Sequence, residues 1–164
     1  MLITSNILIL MDQFTKFLVT SYIPLHHGIP VIRDFFSLTH IRNPGVAFGL
    51  FAHSPSEYKT MVFVMISSVA TVAILYFFHN TPNDKRMVQN SLTLIFSGAI
   101  GNLIDRVVHK EVIDFLDFFI GNYHWPAFNV ADSCITIGVG MMLYDSFFSE
   151  GSTYRTPPNE KLSG

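Results

Sequence analysis

Between Thr60 and Phe78 the chain reads TMVFVMISSVATVAILYFF, nineteen residues without a charge. A helix of that length, at about 1.5 Å per residue, nearly matches the ~30 Å of hydrocarbon in a bilayer. It is the strongest spanning signal in the chain. The chain's composition agrees: 13% charged against roughly 25% in ordinary soluble domains, and a mean hydropathy of +0.39. Tyr58 and Tyr76 stand near the ends of the run, where amphipathic rings favour the membrane interface.

Three more segments extend the pattern, giving spanning helices expected at about 3–22, 60–78, 87–107 and 126–148 in one membrane domain over residues 1–148. The polar, Pro-bearing tail at 149–164 is expected to stay outside it. A cleaved signal peptide is the alternative for the first segment. It lacks a basic start and an A-x-A-like site, and it carries Asp12 and Lys16 where such a segment is uncharged, so retention is the reading adopted. Asp12 and Lys16 stand four apart, on one helix face, where they can neutralise each other. An unpaired ion there would cost about 2.5–3.5 kcal/mol, so a structural ion pair is expected.

Residues 23–57 hold Pro24, Gly28, Pro30, Pro44, Gly45 and Pro55 with Arg33, Asp34 and Arg42, and cannot form a spanning helix. Around the turn Asn43-Pro44-Gly45, the flanks FFSLTHIR and VAFGLF predict a short hairpin on the membrane surface. Such strands would cradle an extended peptide through backbone hydrogen bonds. A plain connecting loop is the competing reading.

The third helix is diluted by Gln89, Asn90, Ser91, Thr93 and Ser97, and Ser97 with Gly101 forms a small-x-x-x-small pair that admits a close neighbour. Gly98, Asn102 and Asp105 recur on one face, with Arg106 beside Asp105 to balance its charge. The fourth helix, begun by Pro126 in its first turn, repeats the device with Asn129, Asp132, Thr136 and Gly140. If these two helices pack as an antiparallel pair, Asp114 and Asp132 come to the same rim of the bilayer. Two carboxylates in a low-dielectric pocket share one proton, so that one can act as base and the other as acid toward a water attacking an amide. Asn102, Asn129 and Arg106 are placed to orient them. Taken alone, this chemistry fits ion or proton transport as well as hydrolysis.

Other chemistries find less support. A net charge of −2 gives no basic stripe for nucleic acid. The single cysteine, Cys134, excludes an intrachain disulfide. Seven histidines occur without an H-E-x-x-H pattern, and neither a metal nor another cofactor is expected. The G-x-S-G pattern of rhomboid-type serine proteases is missing, and Tyr144-Asp145 lacks the G-x-G-D that accompanies it in presenilin-type proteases. Lysine and arginine are nearly balanced between the connections, so charge does not set the orientation.

DQFTK at 12–16, NPGVAFG at 43–49, GNLIDR at 101–106, VIDF at 112–115 and FNVADS at 128–133 together resemble the five sequence blocks of the lipoprotein signal peptidases, also called signal peptidase II. The resemblance covers about residues 8–140, in order and spacing. It implies a mainly α membrane fold of four transmembrane helices, with a small periplasmic β-cradle and a short amphipathic helix between the first two. It implies an intramembrane aspartyl endopeptidase of the bacterial inner membrane, with cytoplasmic termini and an active site near the periplasmic face. The substrates implied are prolipoproteins, cut on the N-terminal side of their diacylglyceryl-modified cysteine. Membrane lipids are the other implied partners, with no nucleic acid and no obligate protein partner.

Carried over by position, the catalytic pair falls on Asp114 and Asp132. Substrate-binding or supporting roles fall on Asn43, Gly45, Asn102, Arg106, Asn129, Asp12 and Lys16, with Asn43 set to touch the substrate backbone. Asp105 is then structural, holding Arg106 or a helix end. The chain departs from the usual pattern in lacking basic residues before its first span and in carrying Val46 where a smaller residue is common. The rival reading is a small four-helix proton-coupled transporter or channel using Asp12, Lys16 and Asp132 as its relay.

Overall fold

The computed structural model describes residues 1–45 and 56–149. In chain order these form α1 (Leu2–Tyr22), β1 (Gly28–Ile32), β2 (Phe36–Asn43), α2 (Ser56–Asn80), α3 (Arg86–His109), β3 (Val112–Ile120), β4 (Tyr123–His124) and α4 (Val130–Ser149). Among the described residues, α1, α2 from Glu57 onward, and α3 are long and apolar enough to cross a membrane. The distribution of side chains is that of a protein solvated by lipid. On α1 the buried residues are Ser5, Asp12, Lys16 and Val19, whereas Leu2, Ile3, Leu10, Phe14 and Phe17 are exposed. Water would favour the reverse; hydrocarbon favours this arrangement, because polar groups then satisfy one another inside.

Helix α3 is the inner one and packs against α1, α2 and α4. Its small and polar residues allow this: Ser91, Ser97, Gly98, Gly101 and Asn102 are all buried. Gly98 lies so close to α4 that a Cβ there would meet the Ala131 carbonyl and the Ile135 side chain. The four strands make one antiparallel sheet in the order β1-β2-β3-β4. Where it meets the end of α1, Val19, Ile23, Ile113 and Phe115 form an apolar core.

The described pairings of β2 are with β1 and β3. β2 turns back onto β1, with Asp34 in the left-handed region (φ 60°) that makes the reversal tight. On its other side β2 pairs with β3. The second flank of the expected hairpin, at 46–51, lies outside the described residues, which omit 46–55 between the first two spans. The described part of the chain between α1 and α2 holds only the two strands.

The segment before α4 departs from expectation. Pro126 does not open the helix. The chain there is held against β3, with Trp125 N–H donating to Phe118 O at 2.8 Å and Phe128 N–H to Leu116 O at 3.1 Å. Only at Val130 does the chain turn helical, with Asn129 ahead of it.

Candidate active site

Asp114 lies near the start of β3, opposite Ile41 of β2, and is 2% exposed. Asp132 lies in the first turn of α4 and is half-buried. Asn129 joins them. Its Oδ1 accepts the Asp132 backbone N–H at 2.8 Å, while Asp132 Oδ2 accepts the Asn129 backbone N–H at 3.3 Å. This is a reciprocal capping box, with Asp in the place where Glu or Gln is usual. With Oδ1 committed to the helix, the amide nitrogen of Asn129 points the other way, donating to Asp114 Oδ1 at 2.8 Å and Ile113 O at 3.2 Å. The cap that starts α4 therefore holds both carboxylates, and Asn129 is itself 0% exposed.

Two further asparagines work the same way. Asn43 accepts Gly45 N–H on Oδ1 at 2.8 Å, which leaves its Nδ2 to donate to Asp114 Oδ2 at 3.0 Å. Gly45 has φ 80°, and a Cβ there would press on the Phe63 ring at 2.6 Å, so glycine is required. On α3, Asn102 Oδ1 accepts from Lys16 Nζ at 3.2 Å and Asn129 Nδ2 at 3.3 Å, while its Nδ2 donates to Asp132 Oδ1 at 2.7 Å. Each amide orientation is thus set by a donor to its oxygen.

Behind this layer lies a buried ion cluster. Lys16 Nζ is 2.8 Å from both Asp12 Oδ2 and Asp105 Oδ2. The i, i+4 pairing of Asp12 and Lys16 expected from the sequence is present, but the cluster also reaches across three helices. Asp12 Oδ1 accepts Ala131 N–H at 2.9 Å at the start of α4. Asp105 Oδ2 accepts Ile113 N–H at 3.1 Å, next to Asp114.

The hydrogen-bond and ion-pair partners of Asp105 are therefore Lys16, Gln13 and the start of β3, and not Arg106, its neighbour in sequence. The cause is helical geometry: consecutive side chains point about 100° apart, and Asp105 faces α1. Arg106 instead donates to Asn102 O at 3.2 Å, with its guanidinium carbon 5.6 Å from the Phe63 ring centroid. Gln13, which sequence reasoning passed over, places Nε2 3.1 Å from Asp105 Oδ1 and from Gly101 O, and 3.2 Å from Asp12 Oδ2. Its adjacency to Asp12 within an apolar helix is the signal that marked it.

The environment of Asp114 alters its acidity. Burial pushes Asp114 up from its usual value to about 6, and the neighbouring Asp132 charge adds to the rise; hydrogen bonds from Asn43 and Asn129 oppose it. Among the described residues no three His, Cys, Asp or Glu side chains converge in a metal-binding group.

The sequence model of the family described as signal peptidase (SPase) II matches residues 4–148. The chain belongs to the signal peptidase II family. Relatives in this family include the lipoprotein signal peptidase of Desulforapulum autotrophicum, 51% identical over 149 residues, covering 90% of this chain and 91% of that one. The lipoprotein signal peptidase of Syntrophus aciditrophicus is 46% identical over 144 residues, covering 88% and 89%. A solved bacterial membrane enzyme, obtained by the in meso method at 2.3 Å resolution, superposes with a TM-score of 0.83 at 30% identity, covering 96% of this chain and 93% of the other. Membership in the signal peptidase II family makes the chain a peptidase, and the apolar helices together with the structural neighbour identify it as a membrane protein.

Proposed function

We propose that the chain is an aspartyl endopeptidase of the bacterial inner membrane, removing the signal peptide from prolipoproteins on the N-terminal side of their diacylglyceryl-modified cysteine. The observation that carries this reading is the position of Asn129, whose amide donates to Asp114 while its oxygen caps the helix that bears Asp132. Two carboxylates tied to one buried side chain act as a unit. The names of the relatives supply the substrate class.

In this reading the two carboxyl groups divide the labour. Asp132 sits at the N-terminal end of α4, where the helix dipole favours an anion, and it accepts hydrogen bonds from Asn102 and Asn129. It is the base. Asp114, buried and holding its proton up to about pH 6, is the acid. Asp132 takes a proton from water as the water oxygen bonds to the amide carbon, and the Asp114 proton hydrogen-bonds the oxyanion that forms. When the carbon–nitrogen bond breaks, the proton taken by Asp132 passes to the leaving nitrogen. Asn43 supports this by holding Asp114 and by facing the peptide backbone, while Arg106 offsets the developing charge.

In this reading α1 to α4 all span the membrane as a single domain over residues 1–148, with both termini cytoplasmic and residues 149–164 a polar tail. At about 1.5 Å per residue the 20 residues of α4 cover the hydrocarbon core. The sheet then lies at the periplasmic face as a cradle for the substrate. The reaction calls for no cofactor, no nucleic acid and no obligate protein partner.

The test is to compare a diacylglyceryl-modified precursor with the same precursor lacking the lipid, identifying products by mass. Cleavage of the modified form alone, immediately before the cysteine, is expected. Equal cleavage of both, or cleavage elsewhere, would overturn the substrate assignment.

A further inference from the structure

On the lipid-facing side of α2 and α3 lies a groove of about 620 Å³, walled by Met61, Val64, Met65, Ser68 and Val69 of α2 and by Val107 of α3. The α2 positions recur three and four apart, so they form one stripe down the helix. Met61, Met65 and Val69 are 65%, 57% and 68% exposed, so no other described element covers them. The charged lining is confined to the mouth, where Arg106 of α3 and Lys110, the residue that caps it, stand beside Glu57 and Thr60 of α2; deeper in, Ser68 donates to its own helix at Val64 O. From Glu57 to Val69 the helix rises about 18 Å, close to the ~15 Å half-thickness of the hydrocarbon. The groove thus begins at the rim and ends near the midplane.

An occupant of this shape is an apolar chain one leaflet deep, carrying oxygen acceptors at its head for the two cations. Esterified acyl chains have that form. Arg106 decides which one, because it lines the mouth of the groove, donates to the carbonyl of Asn102, whose side chain holds Asp132, and interacts electrostatically with Asp132, Asp105 and Asp114. A lipid carried on the residue next to the scissile bond must have its glyceryl head within reach of those carboxylates, where the groove opens. We propose that this groove seats an acyl chain of the substrate's own diacylglyceryl cysteine, an inference that rests on the prolipoprotein reading above.

Moving a chain from lipid into such a groove gains little hydrophobic energy, since both surroundings are apolar. The groove acts by position. Fixing the lipid fixes the cysteine, and with it the peptide bond presented to the carboxylates.

The test uses the full-length protein in lipid nanodiscs, carrying Asp114→Asn so that substrate is held without turnover. A prolipoprotein peptide whose diacylglyceryl cysteine bears a diazirine near the end of one acyl chain is photolysed, and the label is mapped by mass. Label on Met65, Ser68 or Val69 is expected. Label on α1 or α4, or spread evenly over the lipid-facing surface, would overturn the proposal. A free phosphatidylglycerol with the same diazirine forms the second arm. If it labels the stripe and the lipidated peptide does not displace it, the groove holds bulk lipid and the proposal fails.

Met65→Trp, which fills the groove, should lower kcat/KM roughly tenfold for a peptide with long acyl chains and far less for one with acetyl groups in their place. Equal losses for both would also overturn it. Label along α2 in a protein whose wild type cuts no lipidated precursor would support the groove while refuting the peptidase reading. Cleavage by wild type with label elsewhere would do the opposite.

Discussion

Replacing Asn43 with alanine removes the hydrogen bond that its Nδ2 donates to Asp114 Oδ2 at 3.0 Å. A hydrogen bond to a charged group contributes about 1.5–3 kcal/mol. Asn43 is exposed, so competition from solvent cuts this to about 1–1.5 kcal/mol. One pKa unit corresponds to about 1.4 kcal/mol, so the change is roughly one unit. Its sign follows from the chemistry: the donor favours the carboxylate, and its loss lets Asp114 keep its proton to higher pH, from about 6 toward about 7. If Asp114 is the acid, the alkaline limb of kcat/KM should move up by about that amount, whatever happens to the maximum rate. The assay is the pH dependence of single-turnover cleavage of a lipidated precursor by wild type and Asn43→Ala. An unmoved alkaline limb, or an acid limb that climbs while the alkaline limb stays, would refute the assignment of the proton to Asp114.

The remaining predictions concern the frame around the pair. For wild type, kcat/KM should fall on the alkaline side with a midpoint near the Asp114 value of about 6; a profile flat through that range would contradict the division of roles. Lys16→Met leaves Asp12 and Asp105 buried without their cation, and unfolding in detergent should show a loss of about 3–5 kcal/mol. Gly98→Ala drives a Cβ into the Ala131 carbonyl. Thermal unfolding should drop by several degrees and cleavage should suffer with it, because α3 carries Asn102 and α4 carries Asp132.

The long apolar runs made α1, α2 and α3 legible within a few residues, and the spacing of Asp12 and Lys16 predicted their contact. What lay hidden were relations between distant segments. VIDFLDFFI had passed for part of a connection, because a strand buried at Val112, Ile113, Asp114 and Phe115 shows no alternation to read. Its partner β2 is legible as a strand from its aromatic and β-branched residues, but its pairing with β3 is not, since local turn signals carry no information about a strand that arrives after two helices. Arg106, next to Asp105 in sequence, interacts with it electrostatically, but the cation that ion-pairs with Asp105 is Lys16 on another helix. The start of α4 was recoverable: Asn129-x-x-Asp132 is a capping pattern, and giving it more weight than Pro126 would have placed the cap, and with it the bridge between the two carboxylates.

The central claim is that Asp114 and Asp132 activate water together, and it is tested most directly by single-turnover cleavage with Asp114→Asn and Asp132→Asn, each isosteric and each checked for retained thermal unfolding. Loss of a catalytic carboxylate should lower the rate by at least about 10³-fold in both variants, and the double variant should be no slower than either, because groups that act as one unit fail together. Rates near wild type in either single variant, or losses that multiply in the double, would contradict it.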